Sequence, residues 1–157
     1  MQIYTLPMKE LAELIKLQLS EGGMAQLKVT GCSMLPMLRE NRDSVTLIPV
    51  SGCQKKGSII LYQRKNGQYI LHRIIQADGD SYICCGDNQF EKEYVEHSQV
   101  VAVVNAFTRK GRQYQVAGFG YRLYTAIWVG LFPLRKLYIS VRRKFGGLRR
   151  KFLKRKS

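Results

Sequence analysis

The chain has 157 residues, of which 45% are apolar, enough for one compact domain with a modest extension and a core that needs no disulfide staples. Its net charge of +15 is unevenly placed: residues 1–96 carry 11 Lys+Arg and 11 Asp+Glu, whereas residues 97–157 carry 15 basic groups and no acidic one. That split excludes a uniformly basic fold and gives the C-terminal part a separate role. The cysteines, Cys32, Cys53, Cys84 and Cys85, form no Cys-x-x-Cys pair, and with only His72 and His97 to help them they point to no metal site. Unpaired thiols fit a reducing compartment. The N-terminus lacks a charged n-region and a continuous apolar h-region, so no cleaved signal peptide is predicted. No stretch reaches the ~18–20 apolar residues of a spanning helix.

In chain order, residues 7–20 begin at Pro7 and place Leu11, Leu14, Ile15 and Leu19 at helical spacing, which predicts one amphipathic helix ended by Gly22-Gly23. Short β-like runs follow. Strands are predicted over 26–30, 44–50, 58–63, 69–76, 81–85 and 99–108, with a further one at 114–117. Turns fall at Lys55-Lys56-Gly57, Asn66-Gly67, Asp78-Gly79-Asp80 and Lys110-Gly111. Many short strands at this spacing predict a mainly β fold, an antiparallel and partly closed β domain. From Tyr121 the pattern is helical again: residues 123–134 are mostly apolar, with Pro133 as an interruption. Leu134, Leu137, Val141, Phe145, Leu148 and Phe152 then recur among basic residues, with a bend expected at Gly146-Gly147. The expected domains are an N-terminal amphipathic helix (1–24), a β domain (25–117) and a basic helical tail (118–157).

The most informative stretch is Gly31-Cys32-Ser33-Met34-Leu35-Pro36-Met37-Leu38. Proline disfavours helix at Leu35, and Gly31 supplies a flexible joint, so the sequence predicts a serine hydroxyl on a stiff, extended segment at a strand end. That is how a nucleophile is presented. Taken with Gly57-Ser58-Ile59-Ile60, His72-Arg73-Ile74 and Gly86-Asp87-Asn88, in this order over residues 25–105, the run resembles the signal peptidase I superfamily of serine endopeptidases. It is most similar to the branch of the endoplasmic reticulum, archaea and spore-forming bacteria, where a His-Arg motif stands in place of a catalytic lysine. The resemblance implies the fold of signal peptidases and self-cleaving repressors, although residues 1–25 are too short for the repressors' DNA-binding domain.

The same resemblance implies that Ser33 attacks the scissile carbonyl and His72 takes its proton, a step open to a neutral imidazole with pKa near ~6.5. Arg73, the next strand residue, faces the other way and supports the fold or a carboxylate. Asp87 is the first candidate to orient the imidazole, its alternative role being that of a turn residue; Glu93 is the alternative third member, where the family has an aspartate. The Ser33 backbone N–H would serve the oxyanion hole. Gly31 lacks the hydroxyl that some members add there, and Ser58 departs from the family's Gly-Asp. Asp43 is expected to be structural.

Such enzymes take an extended peptide as an added strand. The implied docking edges are Gln26, Leu27, Lys28, Val29 and Thr30 on one side and residues 58–61, including Ile59 and Ile60, on the other, with Met34 and Pro36 as the floor. The expected partners are a signal or leader peptide and an anionic membrane surface met by the basic tail, with no cofactor. The chain would then be a peripheral, membrane-associated endopeptidase, with the cytoplasmic face favoured by the unpaired thiols. The competing reading is a non-enzymatic basic protein on a degenerate peptidase fold, its tail holding nucleic acid through phosphate contacts and stacking, or a membrane. That reading leaves the Ser, His and Asp boxes without a purpose.

Overall fold

The structure, a computed structural model, describes residues 8–135 together with 137 and 139. Helix α1 (Met8–Ser20) turns Ala12, Ile15 and Leu19 into the core. Leu14, predicted for that face, is 52% exposed, and Ala12 takes the inward position instead. The helix stops in a Schellman motif: the Gly22 N–H donates to the Leu19 carbonyl and the Gly23 N–H to that of Gln18, with Gly22 at φ +76°. Pro7 lies outside the described residues.

Eight strands follow: β1 (Ala25–Lys28), β2 (Ser44–Ile48), β3 (Ile59–Gln63), β4 (Tyr69–Asp78), β5 (Ser81–Cys85), β6 (Glu93–Glu96), β7 (Val100–Arg109) and β8 (Arg112–Gln115). A 3₁₀ turn (His97–Gln99) joins β6 to β7, and helix α2 (Phe119–Gly130) follows β8. All pairings are antiparallel, in the order β1-β2-β7-β3-β4-β5-β6, with β8 on β7. The protein is mainly β, a curled antiparallel half-barrel sheet with a few short helices. Register shifts at Thr46/Leu47, Leu61/Tyr62 and Ile74/Gln76 supply irregularities that help a sheet to curl.

Alternation along β3 builds two cores. Ile59 and Leu61 pack with α1, β1, β2 and β7, while Ile60 and Tyr62 pack with Ile74, Tyr82, Cys84 and Val95 on the other face. This overturns one expectation. Since β7 pairs with β3 on one side and β4 pairs with it on the other, β3 is a central strand with no free edge. Ile59 and Ile60, at most 1% exposed, therefore belong to the core and cannot receive a peptide strand. The free edges of the sheet are β1, β6 and β8, which pairs only with β7.

The last strand lies at 112–115 rather than 114–117, and β6 has no counterpart in the sequence reading. Beyond α2, residues 132–135 are helical after a turn at Leu131. The second basic helix is described only at residues 134, 135, 137 and 139, where it is helical, and its bend at Gly146-Gly147 falls outside the described residues.

Candidate functional site

Ser33 lies in a turn and not, as the sequence predicts, on an extended segment. The Leu35 N–H donates to the Cys32 carbonyl and the Leu38 N–H to that of Met34, winding residues 32–38 into one compact loop. Met34, Met37 and Leu38 anchor that loop in the core, and Ser33 stays half-buried at its surface. The Gly-Asp-Asn box holds it in place: the Asn88 N–H donates to the Ser33 carbonyl at 2.7 Å, and its side-chain amide to the Cys32 carbonyl at 3.2 Å.

His72 comes from the middle of β4, opposite Ile60, and is 2% exposed. Its Nδ1 faces the Tyr62 hydroxyl at 3.2 Å and the Glu93 Oε1 at 3.4 Å. Its Nε2 lies beside Gly86 at the end of β5. A methyl group placed on Gly86 would lie 3.1 Å from that Nε2 and 2.8 Å from the Ser33 carbonyl oxygen. Glycine at 86 is therefore what lets the histidine, the serine loop and the end of β5 come together.

Of the two acids considered for orienting His72, the structure sets Glu93 against the ring. Asp87 is fully buried and gives both carboxylate oxygens to Arg73, which donates from Nε at 2.8 Å and from Nη2 at 2.7 Å. Arg73, facing away from His72, also donates to the Gly57 carbonyl, the Tyr121 hydroxyl and the Thr125 hydroxyl. The Arg73–Asp87 pair thus ties α2 to the sheet.

Glu93 is itself clamped. Arg64 donates to its Oε2 from Nε at 2.7 Å and to its Oε1 from Nη2. Arg64 and Tyr62 hold the Glu93 carboxyl below its usual range. Burial pulls the His72 imidazole down, Glu93 opposes that and Arg64 adds to it, with the net shift downward. Burial favours the neutral ring, with an acid beside Nδ1 and Gly86 beside Nε2.

A groove of about 330 Å³ opens at Ser33 and His72. Leu27, Lys28, Val29 and Thr30, which include and follow the end of edge strand β1, line one side, with Met34, Leu61 and Leu71 among its apolar lining. Gln26 hydrogen-bonds to Ser44, and the carbonyl of Pro36, within the loop, accepts from Arg109; neither lines the groove. A larger cleft of about 710 Å³, beside α1 and the ends of β3 and β7, contains no histidine or cysteine in its lining.

Sequence reasoning missed Tyr62, Arg64 and Arg135. Period-2 alternation on β3 puts Tyr62 on the His72 face, a signal open to reading. Arg64 meets Glu93 across 29 positions of sequence, and only the register reveals it. Arg135, 3% exposed, donates to the Gly86 carbonyl at 3.2 Å and to the Trp128 carbonyl at 2.9 Å. Asp43 is buried and structural, accepting from Arg42 and from the Arg39 and Lys110 N–H groups. No protein-family model matches the chain, and no curated protein matches its sequence.

Proposed function

We propose that the chain is a serine endopeptidase of the signal-peptidase type that cuts signal or leader peptides with Ser33 as nucleophile and His72 as base. One observation carries the reading: His72 turns Nδ1 to Glu93 and Tyr62, and it lines the same groove as Ser33. With Nδ1 protonated and turned toward the Glu93 carboxylate, the lone pair is left on Nε2, which serves as the base for Ser33 across the groove that both residues line. The curled antiparallel sheet and the order of the four sequence boxes support the same assignment.

The chemistry follows from these positions. The Ser33 Oγ attacks the scissile carbonyl while His72 Nε2 takes its proton, and the imidazolium then protonates the departing amine as the C–N bond breaks. Water, deprotonated by the same nitrogen, hydrolyses the acyl-enzyme and frees Ser33. Glu93 stabilises the imidazolium, and Arg64 and Tyr62 fix Glu93. The Ser33 N–H is the first donor for the oxyanion. Substrate adds to the β1 edge beside the groove, where the Val29 N–H and carbonyl are already bonded to Asp43 and Asn41.

The test is cleavage of a random peptide library by the purified chain, read by mass spectrometry. Ser33→Ala and His72→Ala should each slow turnover by about 10³-fold or more. Undiminished cleavage by Ser33→Ala would sink the mechanism.

A further inference from the structure

Helix α2 and the helical run after it present two faces of opposite character. The inner face carries Tyr121 and Thr125, which accept from Arg73, then the buried Val129, and Arg135, which reaches Gly86. The outer face carries Phe119, Leu123, Ile127, Leu131, Leu134 and Leu137, spaced three or four apart and each at least 48% exposed. Six large apolar side chains in one exposed stripe exceed the scattered leucines of an ordinary surface. Because Arg73 and Arg135 fix the inner face, the stripe cannot turn inward.

We propose that this outer face lies in the interface of an anionic membrane, with the helix axis along the membrane plane. Three observations select lipid over a protein partner. From His97 to the C-terminus the sequence has 15 basic residues and no acidic one, so a second copy of this face would bring like charges together while anionic headgroups complement them. The residues that usually anchor protein interfaces, here Tyr121, Tyr124, Trp128 and Arg135, are turned inward or partly covered, which leaves aliphatic side chains and one phenylalanine outside. Among the described residues no helix is long and apolar enough to cross a membrane, so a flat, half-immersed seating is the one this stripe fits. The inner face of the same helix braces the Gly86–Asn88 loop, so membrane seating would fix the stand-off of the groove from the bilayer. The proposal does not depend on Ser33 being a nucleophile.

Flotation of the full chain with vesicles tests it, using phosphatidylcholine alone and phosphatidylcholine with phosphatidylglycerol. The chain should float with the anionic vesicles, and Leu123→Ser/Ile127→Ser should bind them about tenfold or more weakly. Circular dichroism and melting of that variant should match the parent. Should the double variant misfold, Leu134→Ser alone, at a position 61% exposed, carries the same prediction with a smaller loss. Undiminished flotation of a folded stripe variant would overturn the proposal. So would a dimer, seen by light scattering, that the variant splits into monomers, or tighter binding to polyuridylate than to the anionic vesicles at equal salt.

Discussion

At the scale of single residues, the two acids near His72 separate into two kinds of work. Glu93 faces the ring nitrogen and Asp87 neutralises Arg73, so substituting them should give different phenotypes. On the proposed Ser33–His72 chemistry, Glu93→Gln should lower kcat about 10-fold or more with little change in melting temperature, since it would remove the charge that steadies the imidazolium. It should also shift the acid limb of the pH–rate profile. Burial already sets that limb below the ordinary histidine value near ~6.5, and Glu93 partly opposes the shift, so the glutamine variant should titrate lower still. Asp87→Asn should instead lower the melting temperature, by about 3–5 kcal/mol of stability, because a buried guanidinium loses its counter-charge. A melting curve and a pH–rate profile on each variant check both; equal pH profiles for Glu93→Gln and the parent would remove Glu93 from the mechanism. Gly86 gives a second residue-scale prediction. Alanine there would bring Cβ within 2.8 Å of the Ser33 carbonyl, a backbone atom with no rotamer to escape by, so Gly86→Ala should slow turnover by displacing Ser33 from His72. Ser33 and His72 were legible in the sequence because their boxes are short and self-contained. Glu93 was legible only as an alternative, and Arg64 not at all, because their meeting depends on β3, β4, β5 and β6 stacking in register.

At the scale of elements, the site depends on how α2 is fastened. Gly57 sits at φ +97°, and a methyl group there would lie 2.6 Å from the Thr125 Cγ2. Helix α2 therefore approaches the turn before β3 as closely as a glycine permits, and that approach lets Arg73 bond the Gly57 carbonyl and the Thr125 hydroxyl together. Gly57→Ala should cost about 1–3 kcal/mol through backbone strain and collision. Adding Thr125→Ser removes the colliding methyl, keeps the hydroxyl for Arg73 and leaves the strained φ, so the double variant should recover part of the loss. Thermal melts of the single and double variants decide it, and an unchanged melting temperature for Gly57→Ala would show that α2 is not seated there. The strands themselves were largely readable from alternation and turn residues. Their spatial order was not: β7, which begins 37 residues after the end of β3, enters between β2 and β3, which turned a presumed peptide-docking edge into core. The short β6 escaped because Glu93-Tyr94-Val95-Glu96 buries only Val95, too little for an alternating signal.

At the scale of the whole molecule, charge is divided between a balanced N-terminal part and a cationic C-terminal one, and three charged groups, Asp43, Arg73 and Asp87, are fully buried in ion pairs. That arrangement predicts a one-sided dependence of stability on pH. Asp43 is fully buried and held to about 2 by Arg42 and two backbone N–H groups, below the unfolded value near ~3.9. The unfolded chain binds its proton first, so the stability Asp43 contributes is complete above ~4 and is lost as pH falls toward 2. His72 is depressed as well, though for the opposite reason: burial disfavours its charged form. The unfolded imidazole takes its proton near ~6.5 while the folded one stays neutral, so His72 also withdraws stability as pH falls below that value. Both groups act in the same direction, one starting near ~6.5 and the other near ~4. Melting temperature should therefore be flat above neutrality, begin to fall below ~6.5 and fall more steeply below ~4. His72→Gln should flatten the upper part of that decline and leave the lower part, whereas Asp43→Asn should lower stability by about 1–3 kcal/mol near neutrality and flatten the lower part. Calorimetric scans of the three proteins across this range measure each contribution; an upper slope that survives in His72→Gln would mean that some other group titrates there, and that the imidazole is not held neutral by its burial.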